Sequence, residues 1–499
     1  MGEPMIRLLY RERRFDYDIY SLTKAFFPTT EIKQSELPQG ESEVGQTDSC
    51  LYISYHPTGV TLRVKLRGEE ATAAVSREQE FSQSADWEEA TDRSEQKNVT
   101  KRVLYRLWQQ VTGRKLLWGT LSGIRPVKLF VAMLEEGLSE SEIRQRAKET
   151  YLLSEERLDK ALQIARTEVR LLSKLDFKRG YSLYVGLPFC PTICLYCSFG
   201  SALYSKWADQ LDDYLLALEA EMKYISSQMR DRVLQTVYIG GGTPTVLSEI
   251  RLERLMGMLK THFDLSQVLE MTVEAGRPDS ITKEKLAVLY RNGVDRISIN
   301  PQTMHDKTLR LIGRHHTAAQ IEAAMGMARE VGFSNINMDL IAGLPSEGMS
   351  ELSQTLDWVS EMKPESLTIH ALAIKRASAL AGNTDKYRFC LTEEDDVMGL
   401  ADKRAAEMQL APYYLYRQKN ITGNLENIGY ARAGCESLYN MLIMEEKQCI
   451  MAVGAGAVTK LVKGDVVERI ENVKDVKEYL ERIEEMIERK RMIVPWLNQ

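Results

Sequence analysis

Between residues 182 and 372 the chain repeats one pattern six times: a short run rich in β-branched and apolar residues, then a stretch with apolar residues three and four apart. The runs are SLYVGL (182–187), LQTVYIG (234–240), LEMTVEA (269–275), DRISIN (295–300), NINMDLIAG (335–343) and SLTIHAL (366–372). Stretches such as DYLLALEAEMKYISSQM and TKEKLAVLYRNG carry the helical spacing between them. Strand-then-helix units in series predict a parallel sheet with right-handed crossovers, an α/β fold curved into a partial (β/α)6 TIM-type barrel. Active sites in such folds gather at the C-terminal ends of the strands, so functional residues are expected at a strand's end or just after it.

The flanking regions follow other rhythms. LYISYHPTGVTLRVKL (51–66) alternates on both sides of a Pro-Thr-Gly turn and predicts a β-hairpin. The polar, acidic stretch at 70–98 predicts a surface loop or linker. From Lys101 to Leu175 the spacing is helical, as in VLYRLWQQV and RLDKALQIARTEVRLL. After about residue 380 the repeat stops, and a mostly helical region is expected, with a Gly/Ala loop, VGAGAVTK (453–460), and a charged, solvated helix, VKEYLERIEEMIERKRM. The expected organisation is an α+β N-terminal extension (1–175) without a chemical motif, a barrel (176–380), and a C-terminal substrate or cover domain (381–499).

Composition narrows the class. A chain of 499 residues exceeds one ordinary core, so two or three domains are expected. A net charge of −6 supplies no basic field for nucleic acid or an anionic membrane. No run of about 18 apolar residues reads as a membrane span and the N-terminal stretch lacks a signal-peptide core, so a cytoplasmic protein is expected. Seven cysteines, a small odd number, argue against a disulfide framework. Cys50, Cys390, Cys435 and Cys449 are scattered and read as small buried hydrophobes.

The other three, Cys190, Cys194 and Cys197, fall within YVGLPFCPTICLYCSFG (184–200) as C-x3-C-x2-C, directly after the first strand. Structural zinc wants four ligands, and the nearest histidine in sequence is His262. A disulfide would strand the third thiol. Three thiolates suit a four-iron cluster that keeps one iron open to a small molecule. Further along, YIGGGTPT (238–245) ends the second strand with three glycines that let a backbone approach a ligand; a tight strand-to-helix turn is the plain alternative. No G-K-[ST] follows, which discounts a phosphate loop. His315 and His316 sit in a polar turn, are expected to be solvent-exposed, and receive no role.

These motifs resemble the radical S-adenosylmethionine (radical SAM) enzymes, and YVGLPFC with C-x-Y-C-x-F resembles the oxygen-independent coproporphyrinogen III oxidase family. The resemblance covers about residues 181–465, and the N-terminal extension with NLENIGYARAG (424–434) is similar to its HemZ subgroup. It implies a [4Fe-4S] cluster on Cys190, Cys194 and Cys197, and S-adenosyl-L-methionine (SAM) on the open iron. Gly241, Gly242 and Thr243 match the segment that meets the SAM amino group and a second SAM. Glu274, Gln302 and Asp339 match binders of SAM hydroxyl and amino groups, which need acceptors. Arg314 matches an arginine near the SAM carboxylate. Tyr196 and Tyr184 match SAM-site aromatics, with strand-end packing as the alternative, and Ala373 and Val458 align with backbone contacts.

The family implies oxidative decarboxylation of coproporphyrinogen III propionates to protoporphyrinogen IX, with a flavodoxin or ferredoxin as electron donor to a monomeric enzyme. Its other branch is a heme chaperone with an H-N-x-x-Y-W motif. Here the matching stretch is YNMLIM (439–444), with Tyr439 in place of the histidine. The best-characterised oxidases carry a fourth cysteine where this chain has Phe199, as chaperones do. Arg376, Arg417, Lys419, Arg432 and Lys460 are candidates for a basic pocket that would receive the carboxylates of a tetrapyrrole substrate.

Overall fold

The computed structural model describes residues 5–37, 49–67, 78–87, 92–392, 395–418 and 426–497. The chain divides into two compact units, Met1–Ala165 and Arg166–Gln499. The first holds β1 (Met5–Tyr10), α1 (Asp16–Phe26), β2 (Glu31–Glu36), β3 (Ser49–His56), β4 (Gly59–Arg67), β5 (Glu78–Asp86), α2 (Arg93–Thr112), α3 (Val127–Glu135), α4 (Glu140–Tyr151) and the start of α5 (Glu155–Leu172). Its sheet runs β2-β1-β3-β4-β5, and the expected hairpin is β3–β4, closed at His56 and Gly59. Leu8, Ile19, Leu51, Leu62 and Trp108 share its core, and the buried Trp108 indole donates to Thr23 Oγ1 at 3.0 Å.

The stretch expected to be a polar loop at 70–98 instead contributes β5 and the start of α2. β5 pairs along its whole length with β4 and has no second strand neighbour among the described residues. An edge strand tolerates a polar sequence because only one face packs, and exposure alternates along it from Glu80 to Asp86.

The second unit contains all six expected strands: β6 (Gly180–Leu187), then β7 (Phe189–Cys190), β8 (Ala202–Leu203), α6 (Tyr204–Trp207), α7 (Leu211–Gln228), β9 (Val233–Gly241), α8 (Glu249–His262), β10 (Glu270–Gly276), α9 (Lys283–Arg291), β11 (Arg296–Ile299), α10 (Asp306–Leu311), α11 (Ala318–Val331), β12 (Ile336–Ala342), α12 (Met349–Met362) and β13 (Ser366–Ala371). The strands β6, β9, β10, β11, β12 and β13 lie side by side in chain order, all parallel. Every residue of β11 is buried, as befits a strand covered on both faces. Side chains start the helices that follow: Ser248 caps α8, Thr282 caps α9, and Thr317 with Gln320 forms a capping box on α11.

Beyond residue 380 the chain forms α13 (Val397–Glu407), β14 (Ala411–Arg417), β15 (Glu426–Ala431), α14 (Leu438–Glu445), β16 (Cys449–Val453), β17 (Val458–Lys463), β18 (Val466–Glu471), α15 (Val476–Glu481), α16 (Ile483–Arg489) and α17 (Ile493–Leu497). The region expected to be mostly helical thus supplies five strands, which extend the barrel sheet at both ends into the order β14-β15-β13-β12-β11-β10-β9-β6-β16-β17-β18. The expected charged helix is broken into α15 and α16, and it is not solvated throughout. Lys490, just past α16, is buried against Glu221 of α7, whose carboxylate also accepts from Gly454 N, Asn472 Nδ2 and Tyr479 Oη at 2.7–2.8 Å. Among the described residues no helix is long and apolar enough to cross a membrane.

Candidate active site

The cysteine loop leaves the top of β6 and is anchored at several points. Thr192 Oγ1 donates to the Gly313 carbonyl at 2.6 Å, Leu195 N to the Ile312 carbonyl at 2.9 Å, and Leu380 N to the Leu195 carbonyl at 3.0 Å. Arg277 joins them. Its buried guanidinium pairs with Asp279 at 2.9 Å, donates to Thr192 Oγ1 at 2.9 Å and lies 3.8 Å from Cys194 Sγ. Thr243 Oγ1 is 3.6 Å from Cys190 Sγ, and Ser201 Oγ is 3.5 Å from Cys197 Sγ. Each thiol therefore has a donor that stabilises a thiolate. Burial, and then the two neighbouring thiols, push the Cys190 thiol upward against the help of Thr243 and Ser201. A bound cation reverses that balance by favouring the deprotonated ligand.

The three thiols line one cavity of about 480 Å³. With them in the lining are Tyr184, Tyr196, Gly241, Gly242, Thr243, Glu274, Gln302, Arg314, Asp339 and Ala373. Val458 is not among the lining residues; it opens β17 behind the Gly/Ala loop, where Gly454 packs on the Gly186 carbonyl. Most of the lining candidates sit at strand ends. Arg314 does not: it follows α10.

The polar groups of the wall hold one another. Tyr238 Oη and Asn300 Nδ2 both donate to the Glu274 carboxylate, the latter at 3.0 Å. Burial, with Asp339 adding repulsion, pushes the Glu274 pKa up to about 7. Asn337 Nδ2 donates to Asp339 Oδ1 at 2.7 Å, and His370 Nε2 lies 3.8 Å from Asp339 Oδ2. Burial opposes ionisation of Asp339, but His370, Asn337 and Thr368 outweigh it and hold its carboxyl below the ordinary value. Arg314 donates to the Gly276 and Asn300 carbonyls at 3.0 and 2.7 Å and to Tyr196 Oη at 3.2 Å, so it ties β10, the end of β11 and the cysteine loop together.

Among the buried side-chain atoms without a partner in the described residues, Gln302 Oε1, Arg314 Nε and Gln418 Oε1 belong to residues that line the cavity. Gln302 also holds a left-handed φ of 69°, fixed by hydrogen bonds with Asp339 and Ile341 backbone atoms at 2.9 and 3.0 Å. An unpartnered buried acceptor and donor in a polar cavity suit a polar ligand. Three cysteine thiols facing one cavity suit a four-iron cluster, which takes thiolate ligands and here would keep one iron open to a ligand. The residues thus fit the cluster and SAM that the fold family uses.

The glycine run meets a nearer need than a ligand. A Cβ on Gly242 would lie 2.6 Å from the Phe189 carbonyl oxygen, and Gly241 has φ of 100°. These residues let β9 close on the end of β6, as the Gly242 N to Leu187 carbonyl bond at 2.7 Å records.

Several expectations change. His316 is buried rather than exposed, and burial, then Arg314 and Arg277, push its pKa down to about 3. None of Arg376, Arg417, Arg432 or Lys460 is among the cavity-lining residues, and Lys419 lies outside the described residues. Lys460 is paired with Glu446 at 3.3 Å, and Arg432 with Glu365 at 3.9 Å. Among the described residues the cations that line the cavity are Arg277, Arg296, Arg314 and Lys375. Arg277, His370 and Lys375 carried no local signal beyond their charge. Tyr439 is buried and stacked on Tyr238 at 4.5 Å, with Tyr184 6.4 Å away on the same stack. Its neighbours Asn440 and Met444 line the cavity.

Residues 184–359 match the radical SAM superfamily. The oxygen-independent coproporphyrinogen-III oxidase-like protein HemZ of Bacillus subtilis (strain 168) is 38% identical over 465 residues, 92% of each chain. The heme chaperone HemW of the same organism is 33% identical over 61% of this chain and 76% of its own. The oxygen-independent coproporphyrinogen III oxidase of Salmonella typhimurium is 33% identical over 38% of this chain and 42% of its own. The solved structure of coproporphyrinogen III oxidase (HemN) from Escherichia coli superposes with a TM-score of 0.52 at 24% identity, covering 64% of this chain and 72% of that one, and so shares the fold. With a cysteine loop above a parallel half-barrel and a relative that matches it nearly end to end, this chain belongs to the HemZ, HemN and HemW family of the radical SAM superfamily.

Proposed function

We propose that the protein is a cytosolic radical SAM enzyme that oxidatively decarboxylates coproporphyrinogen III propionates without oxygen. When bound, the [4Fe-4S] cluster and SAM supply a 5′-deoxyadenosyl radical. Cys190, Cys194 and Cys197 would hold the cluster. Glu274, Gln302 and Asp339 would take the hydroxyl and amino groups of SAM, and Tyr196 its adenine. Arg314, already spent on carbonyls, would orient Tyr196 and offer only its Nε to the ligand. Each decarboxylation removes a hydrogen atom and carbon dioxide from a propionate and passes one electron to an acceptor. A reduced flavodoxin or ferredoxin would charge the cluster.

The observation that carries the enzyme over the carrier is the place of Tyr439. The chaperone branch has its histidine at that position, whereas Tyr439 is stacked beneath the cavity with Tyr238 and Tyr184. Phe199, in place of the fourth cysteine, favours a second reading, a heme-binding or trafficking protein. Anaerobic reconstitution followed by SAM, dithionite and coproporphyrinogen III separates them. Protoporphyrinogen with stoichiometric 5′-deoxyadenosine supports the enzyme. Tight one-to-one heme binding without product supports the carrier.

A further inference from the structure

Among the described residues the cavity lining carries four cations and two carboxylates, Glu274 and Asp339. Three of the cations are already engaged. Arg277 is held by Asp279, Arg314 by two backbone carbonyls, and Arg296, at the start of β11, donates to Asn335 Oδ1 and Ser366 Oγ at 3.2 and 2.8 Å. Lys375 differs. It lies beyond the end of β13 on an exposed segment, and no carboxylate among the described residues is recorded in an ion pair with it. Its recorded neighbour is the ring of Phe199, whose centroid is 5.8 Å from Nζ. Phe199 is 72% exposed and also lines the cavity. The Leu380–Leu195 hydrogen bond ties the segment after β13 to the loop that carries Phe199.

We propose that Lys375 and Phe199 form a subsite for a flat, apolar ligand with carboxylate arms: the ring packs against the macrocycle and the ammonium takes one propionate. This rests on the tetrapyrrole reading above and names the groups that would select it. The wall's arginines are held by their own partners, so among the described lining residues Lys375 is the cation left to take a substrate's acid group. An exposed aromatic ring beside an ammonium with no carboxylate partner among the described residues matches both halves of such a ligand.

The test is fluorescence titration of the full-length, cluster-reconstituted protein with coproporphyrin III, a redox-stable tetracarboxylate, and with its neutral tetraamide. Lys375→Ala raises the Kd for coproporphyrin III about tenfold and leaves the tetraamide unchanged, while Lys375→Arg restores binding to within about threefold of wild type. Phe199→Ala weakens both ligands alike. Iron content and melting temperature of each variant exclude misfolding. Equal coproporphyrin III affinity in wild type and Lys375→Ala overturns the subsite while leaving the tetrapyrrole reading intact. Absence of coproporphyrin III binding by the wild type overturns both.

Discussion

The wall and the rim of the cavity obey different rules. Strand residues of the wall, such as Tyr238, Glu274, Arg296, Asn337 and Asp339, are tied into hydrogen bonds with one another or with nearby strands. On the rim, the cysteines are half-buried, Phe199 stands in solvent, and Lys375 has an aromatic ring for a neighbour. A satisfied buried network rigidifies a fold and is costly to break. Loop residues held at a few anchor points can change without unfolding the molecule, and they carry the chemistry.

The sharpest way to break this contrast is Cys194→Ala on the rim. Iron and sulfide fall from about four of each per chain to near zero, with SAM cleavage lost, while the circular dichroism melt stays close to wild type. A melt that collapses with the iron would place the loop in the core. Next, Arg314→Met in the wall strands the Asn300 carbonyl, leaves the Gly276 carbonyl with Asn300 N as its remaining donor, and costs about 2–4 kcal/mol in urea unfolding. A cost below about 1 kcal/mol would mean that the guanidinium is dispensable to the wall.

Glu274 sharpens the comparison through pH. Its native pKa of about 7 exceeds the ordinary 4.5, so between those values the native state binds more protons than the unfolded chain. Stability therefore falls as pH rises from about 4.5 to 7 and levels off above. Glu274→Gln removes this slope, on the order of 3 kcal/mol, and unfolding midpoints of the two proteins compared across the window measure it. Parallel curves would show Glu274 ionised throughout. The smallest effect belongs to the rim again. Phe199→Cys changes stability by less than about 0.5 kcal/mol and leaves iron content unaltered, because three thiolates already suffice. A gain in bound iron would show the fourth thiol recruited as a ligand.

The six barrel strands were legible because each is a local apolar run bounded by a helix with its own periodicity. β16, the run CIMAV, was not, since five apolar residues beside a glycine loop fit helix or strand equally and only pairing with β6 decides. The polar β5 escaped for the opposite reason, as an edge strand lacks the apolar signature. In the site, the cysteine spacing and the strand-end carboxylates were local signals. Arg277 in GRPDS and His370 in SLTIHAL were not, because their partners Thr192 and Asp339 are brought near only by the fold. His316 looked like a turn residue until Arg314 and Arg277 closed around it.

The buried Glu221–Lys490 pair has a practical corollary. A chain cut just before Lys490 would leave the buried Glu221 carboxylate without its counter-charge, held only by the Gly454, Asn472 and Tyr479 donors, behind the loop that rests on the end of β6. Ile493 and Trp496 are packed as well, so the same cut would also remove two apolar side chains from the fold and uncover the surface they bury.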